Sequence, residues 1–312
     1  MGLLLVASGL ALVCLPGLAR SLGRRLAPAE WTRLCALSLV AGTVIVELAT
    51  VLYAAPTVLR AAGVNALASA CERMLGSLVP GGAAAGWAAF AVAVTMPVLG
   101  VIGVRRSTKT CRSVHAEPWL GEHSSFGEHD LVVLPSDQLL AVSVAGPTSQ
   151  IVVTAGLVEA LSATELASVL RHEAAHLNRR HQRLLVLATV VEHAFGFLRP
   201  IRSSAAALRT AIERWADEEA AGDSAEARLA LRAALLGVTT TVVAPSVAAF
   251  SAVETVVERV QALEAPPPRP TRLRRLALYL PGAALGLPLI LALSAWAGSA
   301  HMVVAATPSC PL

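Results

Sequence analysis

Residues 150–176 read QIVVTAGLVEALSATELASVLRHEAAH. The β-branched run at 150–154 predicts a short strand. Ser162, followed three positions later by Glu165, has the pattern of a capping box, in which the two residues satisfy N–H groups left free at the start of a helix. The pattern therefore predicts a helix that begins after Ser162 and runs from about 163 to 180.

This helix carries the residue types of a metallohydrolase site. His172 and His176 are four positions apart, so their imidazoles lie one turn apart on one face. Zinc accepts such nitrogen ligands, and a catalytic zinc takes three protein ligands and keeps one position open. Glu173 lies beside the first histidine, where it reaches a water rather than the metal and serves as general base. The alternative is a histidine pair on a solvated helix face.

A third ligand is predicted in the segment Glu213-Arg214-Trp215-Ala216-Asp217. Glu213 and Asp217 share one helix face, so Glu213 would bind the zinc. Asp217 would accept a hydrogen bond from the other ring nitrogen of a ligating histidine. The alternative is an acidic surface patch, because three more acids follow: Glu218, Glu219 and Asp223. A surface patch explains the acids but not the apolar Trp215 and Ala216 between them.

The chain around this unit is too apolar for an ordinary soluble protein. Apolar residues make up 55% of its 312 residues and charged residues 15%, whereas soluble domains carry roughly 25% charge. This composition excludes a disordered chain, a nucleic-acid-binding tail and a small disulfide-stapled domain. A transmembrane helix needs about 20 apolar residues, and four stretches predict such spans: 2–19, 34–55, 84–104 and 276–298. The first is also compatible with a signal peptide, although no basic segment precedes it.

Basic residues near the ends of these spans predict their orientation. Four Lys or Arg residues lie in each of the segments 20–33, 105–112 and 269–275, but only two lie in 56–83. We therefore expect both termini outside the cell membrane and the catalytic region in the cytoplasm. The predicted division is a three-helix membrane region, a cytoplasmic zinc peptidase domain, and a fourth span with a short outer tail: 1–104, 105–270 and 271–312. Cys71 and Cys310 fall outside, either as a disulfide or as unrelated thiols.

The polar region is predicted to combine a few strands with several helices. Residues 113–129 are predicted to be irregular. Strand 150–154 is taken as an edge on which an extended substrate would add. The helix at 182–198 is predicted to be buried or to lie at the membrane surface. The remaining elements are strands at 130–135 and 138–144, a helical turn at 156–161, and helices at 205–222, 226–242 and 251–264.

Several other polar residues are considered as ligands or partners. His181 follows His172 by nine positions, which on an ideal helix places it near the opposite face and argues against a ligand role. A loop cluster of His115, His123 and His129 is a weaker alternative metal site. Glu47 lies within the second span and is expected to face the interior of the helix bundle.

The pattern His172–His176 with Glu213-x-x-Ala216-Asp217 resembles the gluzincin membrane peptidases, which include the HtpX, CAAX-prenyl and BlaR/MecR-type proteases. The order of three spans, a zinc domain and a fourth span is similar to that of the BlaR/MecR type. The sequence of residues 150–176 and the presence of His181 also resemble that type. The penicillin-binding sensor domain of that type has no counterpart after the fourth span, so we expect no covalent β-lactam sensing.

The resemblance implies a mainly α-helical multi-pass membrane protein with four transmembrane helices and an α+β zinc peptidase domain between the third and the fourth. It implies a zinc metalloendopeptidase that cleaves itself or a cytosolic repressor-type regulator in signal transduction. The alternatives are an HtpX-like quality-control protease and a catalytically idle receptor. Expected partners are a protein substrate and the lipid bilayer, without direct nucleic-acid binding.

Overall fold

The computed structural model describes residues 2–75, 82–115, 121–146, 149–241 and 247–265, and this part of the chain is mainly helical. Its N-terminal part consists of helices only: α1 (Gly2–Leu18), α2 (Arg20–Gly23), α3 (Pro28–Ala61), α4 (Asn65–Leu75) and α5 (Gly82–His115). Two helical segments are long and apolar enough to cross a membrane, Pro28–Ala61 and Gly82–Arg105, and Leu5–Leu18 is a shorter apolar helix. The predicted span 276–298 and Cys310 lie outside the described residues.

Small residues let α1 and α3 approach each other closely. A Cβ atom on Gly9 would come within 2.8 Å of a Val46 methyl, and one on Gly42 within 2.6 Å of the Gly9 carbonyl oxygen. Such glycine contacts are typical of closely packed apolar helices. The first and third helices therefore pack as a pair.

A four-stranded sheet follows, with strands β1 (Glu122–Phe126), β2 (His129–Leu134), β3 (Ala141–Val144) and β4 (Gln150–Thr154). The strand order is β1-β2-β4-β3; β2 and β4 are parallel, and the other pairs are antiparallel. The prediction that 113–129 is irregular was wrong, because α5 reaches His115 and β1 forms a hairpin with β2. Gly127, at φ +60°, occupies the turn, where a residue without a Cβ adopts that angle freely.

The sheet order also corrects the predicted edge strand. β4 pairs with β2 on one side and with β3 on the other, so no substrate can add to it. β3, which is shorter than the predicted 138–144, is the edge strand on this side of the sheet.

The helices after the sheet are α6 (Ala155–Ala160), α7 (Ala163–Asn178), α8 (His181–Phe195), α9 (Arg199–Ala221), α10 (Ala225–Thr241) and α11 (Val247–Glu264). The predicted capping box is confirmed: the Ser162 hydroxyl accepts from the Glu165 backbone N–H, and the Glu165 carboxylate accepts from the Ser162 N–H. α9 begins at Arg199 rather than 205, because Pro200 fits the first turn, where no intrahelical N–H bond is needed.

The largest apolar core joins the N-terminal helices to the helical hairpin α8–α9. Leu39 from α3, Val191 from α8 and Leu208 from α9 belong to one buried cluster, which also contains Val13 from α1. A second cluster packs α7 on the sheet through Leu170 and residues of β4. α7 and α9, which carry the predicted site residues, are thus each fixed by a separate core.

Candidate metal centre

α7 ends two residues beyond its second histidine, His176, and a tight turn connects it to α8. Arg180 adopts a left-handed conformation, φ 54°, and α8 begins at the next residue, His181. The turn brings the His181 ring back toward α7, where its Nδ1 lies 3.2 Å from the Nδ1 of His176. The expectation that His181 lies near the opposite face was wrong, because it assumed one uninterrupted helix.

Three predicted ligand atoms converge between α7 and α9. The Nε2 atoms of His172 and His176 lie 3.1 Å apart. The Glu213 carboxylate lies 3.4 Å from His172 Nε2 through Oε2 and 3.7 Å from His176 Nε2 through Oε1. All three ligand atoms lie within 4.8 Å of one another.

These separations fit a zinc ion. With metal–ligand distances of 2.0–2.1 Å, the corners of a tetrahedral site are about 3.3 Å apart. The measured spacings are close to that value without any rearrangement of the backbone. Both histidines are buried, whereas the Glu213 side chain remains 27% exposed.

Asp217 lies behind the first histidine. Its Oδ1 is 2.9 Å from His172 Nδ1, the ring nitrogen that faces away from the metal position. A carboxylate there holds the Nδ1–H tautomer and leaves Nε2 free to bind a metal. The structure thus places Asp217 where its predicted role requires it.

Arg259 from α11 balances the charge of the two carboxylates, a role that no sequence motif predicted. Its Nε and Nη2 each lie 2.7 Å from an oxygen of the buried Asp217 carboxylate, and its Nη1 lies 3.2 Å from Glu213 Oε2. One guanidinium therefore orients both Glu213, the third ligand candidate, and Asp217, the partner of His172. The planar guanidinium of arginine has several N–H donors and can bind two carboxylates at once.

The charges of this cluster shift each other's ionisation. Burial alone would lower the pKa of His172, but its hydrogen bonds with Asp217 and Glu213 outweigh burial and raise the pKa to about 10. Burial opposes the ionised form of Glu213 and Asp217 as well. Contacts with His172 and Arg259 nevertheless hold the pKa of Glu213 at about 2 and that of Asp217 well below its usual range. Strongly perturbed groups in one cleft are typical of functional sites.

His181 supports the second histidine from behind. It is fully buried and packs between the His176 ring, at 5.0 Å between centroids, and the Trp215 ring, at 4.9 Å. Burial, followed by the nearby His176, lowers the pKa of His181 to about 4, so the ring is neutral at pH 7. A neutral His181 can accept the Nδ1–H of His176 and fix its tautomer, as Asp217 does for His172.

An apolar cavity of about 270 Å³ opens beside the cluster. Its polar wall is formed by the predicted general base, Glu173, by two predicted metal ligands, His172 and Glu213, and by Arg259. Its apolar wall comes from the start of β3 and the chain before it, and from α6, α7 and α10: Leu139, Leu140, Ala141, Leu157, Val169, Leu231, Ala234 and Leu235. Glu173 therefore reaches the same space as the ligand set.

The edge of β3 borders this cavity. Leu140 is bonded to β4 through its carbonyl, which accepts from the Thr154 N–H, so the backbone groups of Ala141 point away from β4. Ser143 points the same way, and its carbonyl accepts from the Gln182 side chain. The accessible part of the edge is thus the part nearest the metal cluster.

The alternative histidine cluster is not assembled in the described residues. His123 and His129 lie in the β1–β2 hairpin, and His129 Nε2 is 3.0 Å from the Asn178 amide oxygen. The group of potential metal ligands in the described chain is His172, His176 and Glu213. The His115 side chain lies outside that description.

Residues 128–277 match the family model described as peptidase family M48. The match starts in the turn between β1 and β2 and includes His172, Glu173, His176, Glu213 and Asp217. This part of the chain is therefore similar to the M48 peptidases, a zinc-dependent family, and is consistent with a metallopeptidase. Comparisons with curated proteins and with solved structures gave no match.

Proposed function

We propose that the chain is a zinc-dependent endopeptidase whose zinc is held by His172, His176 and Glu213. The observation that carries the proposal is the convergence of these ligand atoms within 4.8 Å, with His172 and Glu213 in the wall of a cavity that Glu173 also lines. The bound zinc would polarise a peptide carbonyl and lower the pKa of water. The match to peptidase family M48 supports the same chemistry.

The protein's own groups account for the remaining steps. Glu173 takes a proton from the water that attacks the scissile carbonyl and passes it to the departing amine. Asp217 and His181 keep the two ligand imidazoles in one tautomer, so no reorientation is needed during turnover. Arg259 keeps the carboxylate of Glu213 ionised and in place.

An extended peptide would add to the outer edge of β3 rather than to β4. The N–H and C=O of Ala141 point outward beside the cavity and can form a pair of main-chain hydrogen bonds with such a peptide. The mainly apolar cavity wall would receive an apolar side chain of the substrate. Substrates with aliphatic residues next to the cleaved bond are therefore expected.

We further propose that the enzyme is a multi-pass protein of the plasma membrane, with outer termini and a cytoplasmic active site. The two long apolar helices and the distribution of basic residues support this placement. The similarity in layout to the BlaR/MecR-type proteases supports a substrate that is the enzyme itself or a cytosolic regulator. A quality-control protease and an idle receptor are the competing outcomes of the test below.

The test compares new protein N-termini in cells that contain the wild type, Glu173→Gln or Glu159→Gln. Glu159 is exposed on α6 and undergoes the same chemical change, so it serves as the matched control. We expect a few specific new termini in the wild type and the control, and none with Glu173→Gln, although that variant keeps its zinc. Many termini in damaged membrane proteins would indicate quality control. Identical termini in all three would overturn the peptidase proposal.

A further inference from the structure

A small basic cleft lies on the side of α9 that faces the connection between α1 and α3. It is lined by Arg20 and Arg24 from that connection, Trp31 from α3, and Thr210 and Arg214 from α9. Its volume of about 40 Å³ accommodates roughly three water molecules, or one small oxyanion. The cleft is separate from the metal cluster, which lies in the cavity beside β3.

The cleft carries more positive than negative charge. Three guanidinium groups line it, with one carboxylate, that of Glu258. The backbone contacts of Arg20 and Arg214 use uncharged partners: Arg20 donates to the Ser203 carbonyl at 3.1 Å, and Arg214 donates to the Gly23 carbonyl at 3.0 Å. Neutral carbonyls satisfy donors without neutralising their charge, although Glu218 and Asp217 also lie near Arg214, outside the lining of the cleft.

Arg214 shows most clearly that an acceptor is missing. Its Nε is buried and has no hydrogen-bond partner among the described residues. A buried donor without an acceptor destabilises the protein, and more strongly when it is charged, unless a ligand or water satisfies it.

Guanidinium groups that line one cleft from α9 and from the connection between α1 and α3 match an oxyanion with several acceptor oxygens. A phosphate group offers such oxygens to Arg20, Arg24 and Arg214 at once. The cleft also lies at the start of the apolar helix Pro28–Ala61, the depth at which lipid headgroups would meet a spanning helix. We propose that the basic cleft binds a phosphate group, carried by an anionic phospholipid or as inorganic phosphate.

The test uses the full-length chain in a neutral detergent at fixed ionic strength. Dissociation constants are measured for dimyristoyl phosphatidylglycerol, for dimyristoyl glycerol, which has the same chains without phosphate, and for inorganic phosphate. Arg24→Gln removes one cleft guanidinium whose side chain is exposed, so the fold should be retained. Arg25→Gln is the matched control, because its neighbouring side chain is also exposed and does not line the cleft.

We expect phosphatidylglycerol to bind and dimyristoyl glycerol not to bind. Arg24→Gln should weaken binding at least about tenfold, and Arg25→Gln less than about twofold. Binding of phosphatidylglycerol without inorganic phosphate identifies a lipid headgroup as the ligand, whereas binding of both identifies the phosphate itself. The proposal is overturned if neither phosphate compound binds, if dimyristoyl glycerol binds equally well, or if both variants lose the same affinity.

Discussion

Replacement of Asp217 by Asn tests whether the partner of a ligand histidine sets the zinc affinity. The buried carboxylate contacts His172 Nδ1 at 2.9 Å and two Arg259 nitrogens at 2.7 Å each. An amide offers one acceptor oxygen where the carboxylate offers two. If that oxygen stays at the Oδ1 position, the amide NH2 faces Arg259 Nε donor against donor; if the amide turns round, His172 and Arg259 Nη2 lose their acceptor, and the negative charge is lost in either case. Loss of such a partner costs about 10–100-fold in metal affinity, which corresponds to about 1.4–2.8 kcal/mol.

The same change should destabilise the metal-free protein. Breaking a buried ion pair on one side costs about 3–5 kcal/mol, because it leaves the other charge unpaired. Glu213, 3.2 Å from the Arg259 Nη1, still compensates part of that charge, so we expect the lower end of the range. A loss of about 3 kcal/mol lowers the melting temperature by roughly 6–12 °C for a domain of this size.

Zinc affinity would be measured by competition with a chelator, and melting temperature in detergent with EDTA. Glu219→Gln is the matched control on the same helix. It breaks the Arg179–Glu219 pair, 2.8 Å long, in which the Arg179 side chain is 50% exposed, and should cost about 1 kcal/mol or less. Zinc affinity of Asp217→Asn within twofold of the wild type would refute the assigned role of Asp217.

Three further predictions concern neighbouring features. His181→Phe should weaken zinc binding about tenfold in the same chelator assay, because His176 loses the acceptor for its Nδ1–H. His181→Asn should recover part of the loss. Equal zinc binding by the wild type and both variants would contradict this role of His181. The metal-free protein should lose stability as the pH rises from about 6.5 toward 10. The pKa of His172 is raised to about 10 in the folded protein, so its positive charge stabilises the fold fully below pH 6.5, and this stabilisation is lost as the pH rises through 10. A flat melting temperature over that range would be inconsistent with a charged His172. Ser162→Ala should cost about 1 kcal/mol in thermal unfolding, whereas an unchanged melting temperature would show that the capping box contributes nothing.

Local patterns made the centre of the fold predictable. The capping box at Ser162 and Glu165 fixes the start of α7, and the four-residue spacing of His172 and His176 fixes their common face. Both signals act within one or two helical turns, so the sequence contains them without knowledge of the rest of the chain. The zinc ligand set itself stays a prediction that the assembled geometry supports.

Features that depend on distant contacts or on single backbone angles were not predictable in this way. Arg259 lies 42 positions after Asp217, and nothing in its immediate sequence marks it as an ion-pair partner. The change of helix near residue 181 was predicted, but the left-handed Arg180 carries no glycine or asparagine signal, so the turn that places His181 against His176 was not. β1 was missed because its sequence EHSSF lacks an apolar alternation, although Gly127 beside it marked the hairpin turn.

The shared core of α1, α3, α8 and α9 determines how the catalytic part can be handled in the laboratory. Leu39 and Val13 cover one face of the hairpin that carries Glu213 and Asp217. A fragment that begins at residue 105 would expose this apolar face to water, and we expect the fragment to aggregate or to require detergent. Purification schemes for this protein should therefore retain the first hundred residues even when only hydrolysis is assayed.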